Sequence, residues 1–369
     1  MSSTAALAAQ KADSAPRANQ LRALQIWLGA LAGLIVLMIL VGGATRLTES
    51  GLSITEWKPV LGAIPPLTDA DWHEAFTAYK QIPQYTEINR GMSLEDFKTI
   101  YWWEWTHRFL GRLIGVAFLI PFAAFWIAGY IPRPLLPRLL GLFLLGGVQG
   151  AIGWYMVKSG LVDRVSVSQY RLMVHFGMAL LILGYTLWLL LGLGRGRGAE
   201  ARRRSDATTW VAWGVLGLIF LQMLAGALVA GLDAGMGFNT WPLIDGAVIP
   251  SGLGEAEPWY LNLFENPLAV QFDHRMLGYA VVIATLAQFA WLRLRGSDGA
   301  LLASALTLTL LAVLQALLGV WTLLLAVPIV LGLAHQAGAI AVFIAALVHL
   351  WLARQSLPAA NSAQAAASA

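Results

Sequence analysis

The sequence predicts an all-α membrane protein whose eight transmembrane helices form two repeated four-helix bundles. Three observations lead there. Of the 369 residues, 58% are hydrophobic and only 12% are charged. Eight separate apolar runs approach the roughly 20 residues that a bilayer-spanning helix needs, and patterns in the first half of the chain recur in the second. An ordinary soluble domain is about 25% charged, so this composition excludes a soluble globular fold. In lipid the backbone polar groups must be satisfied within each run, which makes each run a helix.

The first run, 23–44, follows a polar stretch with Lys11, Arg17 and Arg22 and lacks a small-residue cleavage site, so it reads as a retained helix. Residues 1–22 read as a disordered cytoplasmic N-terminus. A long polar loop, 46–103, leads to runs 108–130 and 135–157, and run 170–194 completes an N-terminal half, 23–194. The basic segment 195–207 reads as a cytoplasmic linker. The C-terminal half, 208–353, has runs 208–231, 271–292, 300–325 and 328–353 with a second long loop at 232–269, and 354–369 reads as a disordered tail. Thirteen Lys and Arg residues fall in one set of connecting segments and seven in the other, mostly in a long acidic loop. The positive-inside rule then puts both termini in the cytoplasm of a bacterial inner membrane. The net charge of +4 has no basic stripe interleaved with aromatics, which excludes nucleic acid as a partner.

The halves are self-similar. HRFLGRLIG (107–115) resembles HRMLGYAVV (274–282), and LLGGVQGAIGW (144–154) resembles LLAVLQALLGV (310–320), aligning Gln149 with Gln315 and Gly153 with Gly319. GLSITEW (51–57) matches GMGFNTW (235–241) after the first helix of each half. An even number of spans per repeat gives the two halves one orientation.

Four of the six histidines, His107, His175, His274 and His335, lie on the second and fourth helices of each half, within about two turns of the predicted helix starts. An ionisable side chain in a span is costly and marks function. With no cysteine in the chain, thiolate metal sites and covalent c-type haem are excluded. One imidazole pair per half suits the two axial positions of a haem iron, whereas structural zinc wants four close ligands. Small residues stand one turn after each histidine, at Gly111, Ala179, Gly278 and Ala339, where they admit either a flat ring or a packed helix. Arg108 and Arg275, with Arg112 and Arg171 nearby, suit pairing with carboxylates such as haem propionates or snorkelling to lipid phosphate. His73, in a polar loop, and His349, near the inner end of the last helix where an interface residue needs no further role, read as structural or solvated.

One difference between the halves bears on chemistry. EWTHR (104–108) has Glu104 where QFDHR (271–275) has Gln271. Glu104 shares a helix face with His107. A buried carboxyl favours its protonated form and can exchange protons, which an amide cannot. This reads as one reaction site and one electron-relay site; the alternative is that Glu104 pairs with Arg108.

VGGATRLTESGLSITEWKPVLGAIPP (41–66), EWTHRFLGR (104–112), YRLMVHFGMA (170–179), GFNTWPLIDGAVIP (237–250), QFDHRMLGY (271–279) and AHQAGA (334–339) strongly resemble the haem A synthase family. The resemblance implies an eight-helix oxidoreductase that converts the C8 methyl of haem O to a formyl group, making haem A for cytochrome oxidase. It implies haem b as cofactor on His274 and His335, with haem O as substrate on His107 and His175. Glu104 is implied as the essential acid. Arg275 and Arg108 are read beside the two haems. Implied partners are the lipid bilayer, haem O synthase upstream and cytochrome oxidase assembly factors; a homo-oligomer is compatible with the sequence. Some members carry a cysteine pair in the first outer loop, and its absence here places the chain in a cysteine-free branch. The competing expectation is a bis-histidine two-haem b-type electron-transfer protein, and a haem transporter is a third. Trp57, Trp72, Trp241 and Trp259 stand in the long loops as lids or as interface anchors.

Overall fold

The structure is a computed structural model that describes residues 18–58, 61–162, 164–194, 206–297 and 299–355. The expected disordered N-terminus up to residue 17, most of the linker and the tail from residue 356 lie outside them. Eight of the helices are long and apolar enough to cross a membrane. The chain divides into two compact units, Met1–Gly194 and Arg195–Ala369.

The first unit contains α1 (Ala18–Leu47), α2 (Asp69–Tyr79), α3 (Leu94–Ile127), α4 (Leu136–Lys158) and α5 (Gln169–Leu193). α1 packs on α3 and α5, and α5 packs on α4, whereas α3 and α4 touch only sparsely. Leu24, Leu28, Leu31 and Ile35 recur at helical spacing on the buried face of α1. Trp27 adds a hydrogen bond from its indole N–H to the Ala117 carbonyl at 2.9 Å, which satisfies the one polar atom of a buried ring.

α1 and α3 are longer than their apolar runs. α1 starts at Ala18, so residues 18–22 are helical and not part of a disordered terminus. α3 starts at Leu94 under a capping box in which Ser93 and Asp96 satisfy each other's backbone N–H groups. His107 is therefore 13 residues, about 20 Å at 1.5 Å per residue, from the helix start and not within two turns of it. Hydropathy locates the lipid-spanning part of such a helix, whereas the cap locates its end. α2, capped likewise by Thr68 and Asp71, docks on this extension of α3. Leu52, Trp72, Phe76, Tyr79, Phe97, Tyr101 and Val167 form one apolar cluster there, joining the loop after α1 to the starts of α3 and α5.

The second unit contains α6 (Ala207–Gly231), the single turn α7 (Asn262–Glu265), α8 (Pro267–Leu294), α9 (Gly299–Leu324) and α10 (Ile329–Ala353). α6 packs on α8 and α10, and α9 packs along both α8 and α10. Asn266 caps α8 by accepting from the Leu268 and Ala269 N–H groups, with Pro267 in the first turn where no N–H is needed. Asn239 ties the long loop to the end of α9 by donating to the Leu323 carbonyl at 2.8 Å.

Candidate functional site

In the first unit His107 on α3 faces His175 on α5, ring centroids 6.5 Å apart and planes inclined by 59°. In the second unit His274 on α8 faces His335 on α10 at 6.4 Å and 78°. Neither pair sits on helices that pack closely together, so each pair reaches across the middle of its bundle. An imidazole nitrogen lies about 2.0 Å from a bound metal and the ring centroid about 1.1 Å behind it, so two imidazoles on opposite sides of one metal atom have centroids roughly 6 Å apart. Both pairs have that separation.

Four glycines seat the rings. A Cβ at Gly42 on α1 or Gly153 on α4 would stand 3.1 Å from His107 and 3.0 Å from His175; at Gly226 on α6 or Gly319 on α9 it would stand 3.1 Å from His274 and 2.8 Å from His335. At Gly319 something must shift to admit a side chain, and at the other three the ring must give by a few tenths of an ångström. The small residues expected to matter were those on the histidine helices, yet Gly111 and Gly278 instead accommodate Met38 and Gln222 from α1 and α6. The glycines on the facing helices are the ones sequence reasoning missed. Their trace was the repeat itself, which aligned Gly153 with Gly319.

Buried polar atoms without partners gather at both pairs: His175 Nδ1 and Gln149 Oε1 in the first unit, His274 Nδ1, Gln222 Oε1 and Gln315 Oε1 in the second. A buried polar atom without a protein partner calls for an explanation, and a bound ligand, ion or water is one. Among the described residues no cluster of three or more His, Asp or Glu is placed to hold a metal. A two-donor site therefore suits an iron whose remaining ligands come from a macrocycle, and it does not suit zinc.

Glu104 is nearly fully buried, and its partners are two groups of the loop after α1 and Arg108 on its own helix. Ser53 Oγ donates to Oε2 at 2.8 Å and the Ile54 N–H at 2.7 Å, while Arg108 donates to Oε1 through Nε at 3.0 Å and an NH2 nitrogen at 2.6 Å. The pairing with Arg108 is thus present, and the carboxylate fastens the loop. Gln271 does the same work with opposite polarity. Its Nε2 donates to the Ala234 and Gly237 carbonyls at 2.6 and 2.7 Å, and its Oε1 accepts from Arg275 at 2.7 Å. The first loop presents donors and needs an acid; the second presents carbonyls and needs an amide. The Glu/Gln difference therefore follows the loops and does not by itself mark a proton-transfer site.

Arg108 also donates to the Ile54 and Glu56 carbonyls at 2.7 and 3.1 Å, and Arg275 to those of Phe238 and Thr240 at 2.8 and 2.9 Å. Both guanidiniums, read from the sequence beside the haems, bond loop backbone as well as Glu104 or Gln271, and Arg275 Nε is buried without a partner. Arg112 donates to the Lys58 carbonyl at 3.0 Å and Arg171 to the Tyr155 carbonyl at 2.6 Å. Trp72 is core, in edge contact with Tyr101 at 5.0 Å, while Trp57 and Trp259 are exposed and Trp241 donates to the Tyr279 hydroxyl at 2.9 Å. His73 is exposed as expected. His349 has the structural role of the two that were open to it: it is buried, with Nδ1 2.8 Å from Ser304 Oγ on α9.

Residues 25–347 match the COX15-CtaA family, described as cytochrome oxidase assembly protein. The chain belongs to the haem A synthase family. A heme A synthase of Parvibaculum lavamentivorans is 52% identical over 324 residues, covering 88% of this chain and 92% of the relative. That of Azorhizobium caulinodans is 54% identical over 331 residues, covering 89% and 93%, and that of Rhodopseudomonas palustris strain BisA53 is 53% identical over 359 residues, covering 95% and 98%. Haem A synthases are oxidoreductases, which separates the chain from the simple electron carrier and the transporter weighed above. The resemblance read in the motifs, the eight apolar helices and the enzymatic class all stand, in a chain with no cysteine.

Proposed function

We propose that the first unit binds haem O between His107 and His175 and oxidises its C8 methyl to the formyl of haem A, while His274 and His335 in the second unit hold a haem b. The observation that carries this reading is the matched separation of the two imidazole pairs, each near what one shared iron requires. A haem in the second unit supplies a one-electron carrier when bound. His107 and His175 orient the substrate iron across the bundle axis. Glu104 and Arg108 lock the loop at 50–56, and Leu52, in the apolar cluster, anchors it near the starts of α3 and α5, excluding water. We assign Glu104 to positioning within this substrate site, and Arg108 and Arg275 to shaping the mouths of the two sites. Both termini face the cytoplasm of a bacterial inner membrane on the positive-inside argument, the substrate comes through the bilayer from a haem O synthase, and the product passes to cytochrome oxidase assembly.

Purified single variants test the assignment through extracted haems. His274→Ala and His335→Ala are expected to lose the b-type absorbance. His107→Ala and His175→Ala are expected to keep it and yield no haem A. Loss of haem b from the His107 variant with retention in the His335 variant would reverse the assignment of the units.

A further inference from the structure

Gln149 and Gln315, aligned by the repeat, have no part in the function described so far. Each stands one turn before the glycine that seats the second histidine of its unit: Gln149 and Gly153 against His175, Gln315 and Gly319 against His335. The glycine admits the ring to the helix surface, and the glutamine reaches it from the adjacent turn. In the second unit the reach is complete. Gln315 Nε2 lies 2.9 Å from His335 Nδ1 and 2.8 Å from the His335 carbonyl. In the first unit Gln149 Nε2 donates only to the His175 carbonyl, at 3.1 Å, and His175 Nδ1 and Gln149 Oε1 are both buried without a partner.

A glycine explains the difference. Three residues after His335 comes Gly338, where a Cβ would collide with Gln315 Oε1; three residues after His175 comes Met178. The missing side chain lets the Gln315 amide settle against the imidazole. The surrounding helices differ in the same sense, because α9 packs along α8 whereas α4 barely touches α3.

We propose that Gln315 is a positioning residue that locks His335 as a permanent iron ligand, and that the looser Gln149 leaves His175 free to exchange its iron. This rests on the haem assignment proposed above. With iron on Nε2 the Nδ1 atom carries the proton, and Oε1 of Gln315, now buried without a partner, is the acceptor that proton needs. A turn of the amide that hands Nδ1–H to Oε1 gives up the contact that Nε2 now makes with Nδ1. Such outer partners of a metal-bound histidine fix its orientation and raise its basicity, and losing one costs about 10–100-fold in metal affinity. A retained cofactor requires that hold, and a substrate that must leave as product requires its absence.

The test uses the full-length protein purified with its haem, in detergent, with an excess of a haem-scavenging apoprotein. Gln315→Leu and Gly338→Ala, the latter displacing only the flexible end of Gln315, are both expected to speed loss of haem b about tenfold or more. Both are also expected to move its midpoint potential positive, because a less basic ligand favours ferric iron less. Gln315→Glu, a stronger acceptor, is expected to move the potential negative, and Gln149→Leu to leave both readings unchanged. Parental loss rate and potential in Gln315→Leu would overturn the proposal while the ligand assignment stood. If His335→Ala kept the low-spin bis-histidine spectrum, the ligand assignment itself would fall.

Discussion

Replacing Glu104 by glutamine swaps the residue of the first unit for its counterpart in the second, and the loop decides the consequence. The new amide keeps an oxygen for Arg108 but loses the charge in a nearly buried ion pair, whose side chains are 13% and 3% exposed. A charge-assisted hydrogen bond is about twice as strong as a neutral one, so that loss is about 1 kcal/mol. The amide nitrogen then faces the Ile54 N–H, now bonded to Glu104 at 2.7 Å, and two donors cannot satisfy each other. An unsatisfied buried donor costs about 1–3 kcal/mol. Together about 3 kcal/mol comes off the loop, close to a hundredfold in its opening equilibrium at 1.4 kcal/mol per decade. Hydrogen exchange over residues 50–57 is expected to accelerate by about that factor, with haem A yield falling alongside. Gln271→Glu is expected to loosen the second loop in the same way, because it sets a carboxylate against the Ala234 and Gly237 carbonyls. If haem A production vanished in Glu104→Gln while exchange at Ile54 stayed at the parental rate, the acid would be acting in the chemistry and the loop argument would fail.

Gly319→Ala is expected to remove most of the bound haem b, since its Cβ would stand 2.8 Å from His335; Gly146→Ala, with open space around it, is the control, and pyridine haemochrome extraction reads both. Asn239→Ala releases the Gly235 and Leu323 carbonyls and is expected to destabilise the second unit by roughly 2 kcal/mol, read as a lower thermal midpoint in detergent. Asp71 accepts from the Thr68 and Leu67 N–H groups, which hold its carboxyl below the usual range. A depressed value gives the α2 cap its full contribution above the ordinary carboxylate value of about 3.9 and removes it as pH falls through the lowered one. Pepsin cleavage near residues 64–70 is therefore expected to rise steeply with acidity in the parent and to be insensitive to it in Asp71→Asn.

The spans were legible because lipid leaves the backbone no alternative to the helix, and the histidines because a costly side chain repeated four times is conspicuous against apolar filler. What hydropathy cannot see is where a helix stops once it leaves lipid. α3 runs from Leu94 because Ser93 and Asp96 close a cap, a signal written in two polar residues inside a stretch that otherwise reads as loop. The glycines facing the imidazoles were hidden for a related reason. A small residue matters through what stands opposite it, and the sequence gives spacing along one helix but not the neighbour across the bundle.

The Glu104 and Gln271 contrast carries this furthest. Read along the chain, an acid in one half and an amide in the other suggest different chemistry, because a carboxyl moves protons and an amide does not. Read through the structure, each residue is complementary to the backbone it meets, Ser53 and Ile54 offering hydrogens and Ala234 and Gly237 offering oxygens. Each is also held from behind by an arginine four residues on. Which way a loop's peptide planes turn is set by its path over the helix ends, so no local pattern announces it. The asymmetry proposed between the units then rests on smaller differences, Gly338 against Met178 and a packed seam against an open one, beside a glutamine that reaches one imidazole and not the other.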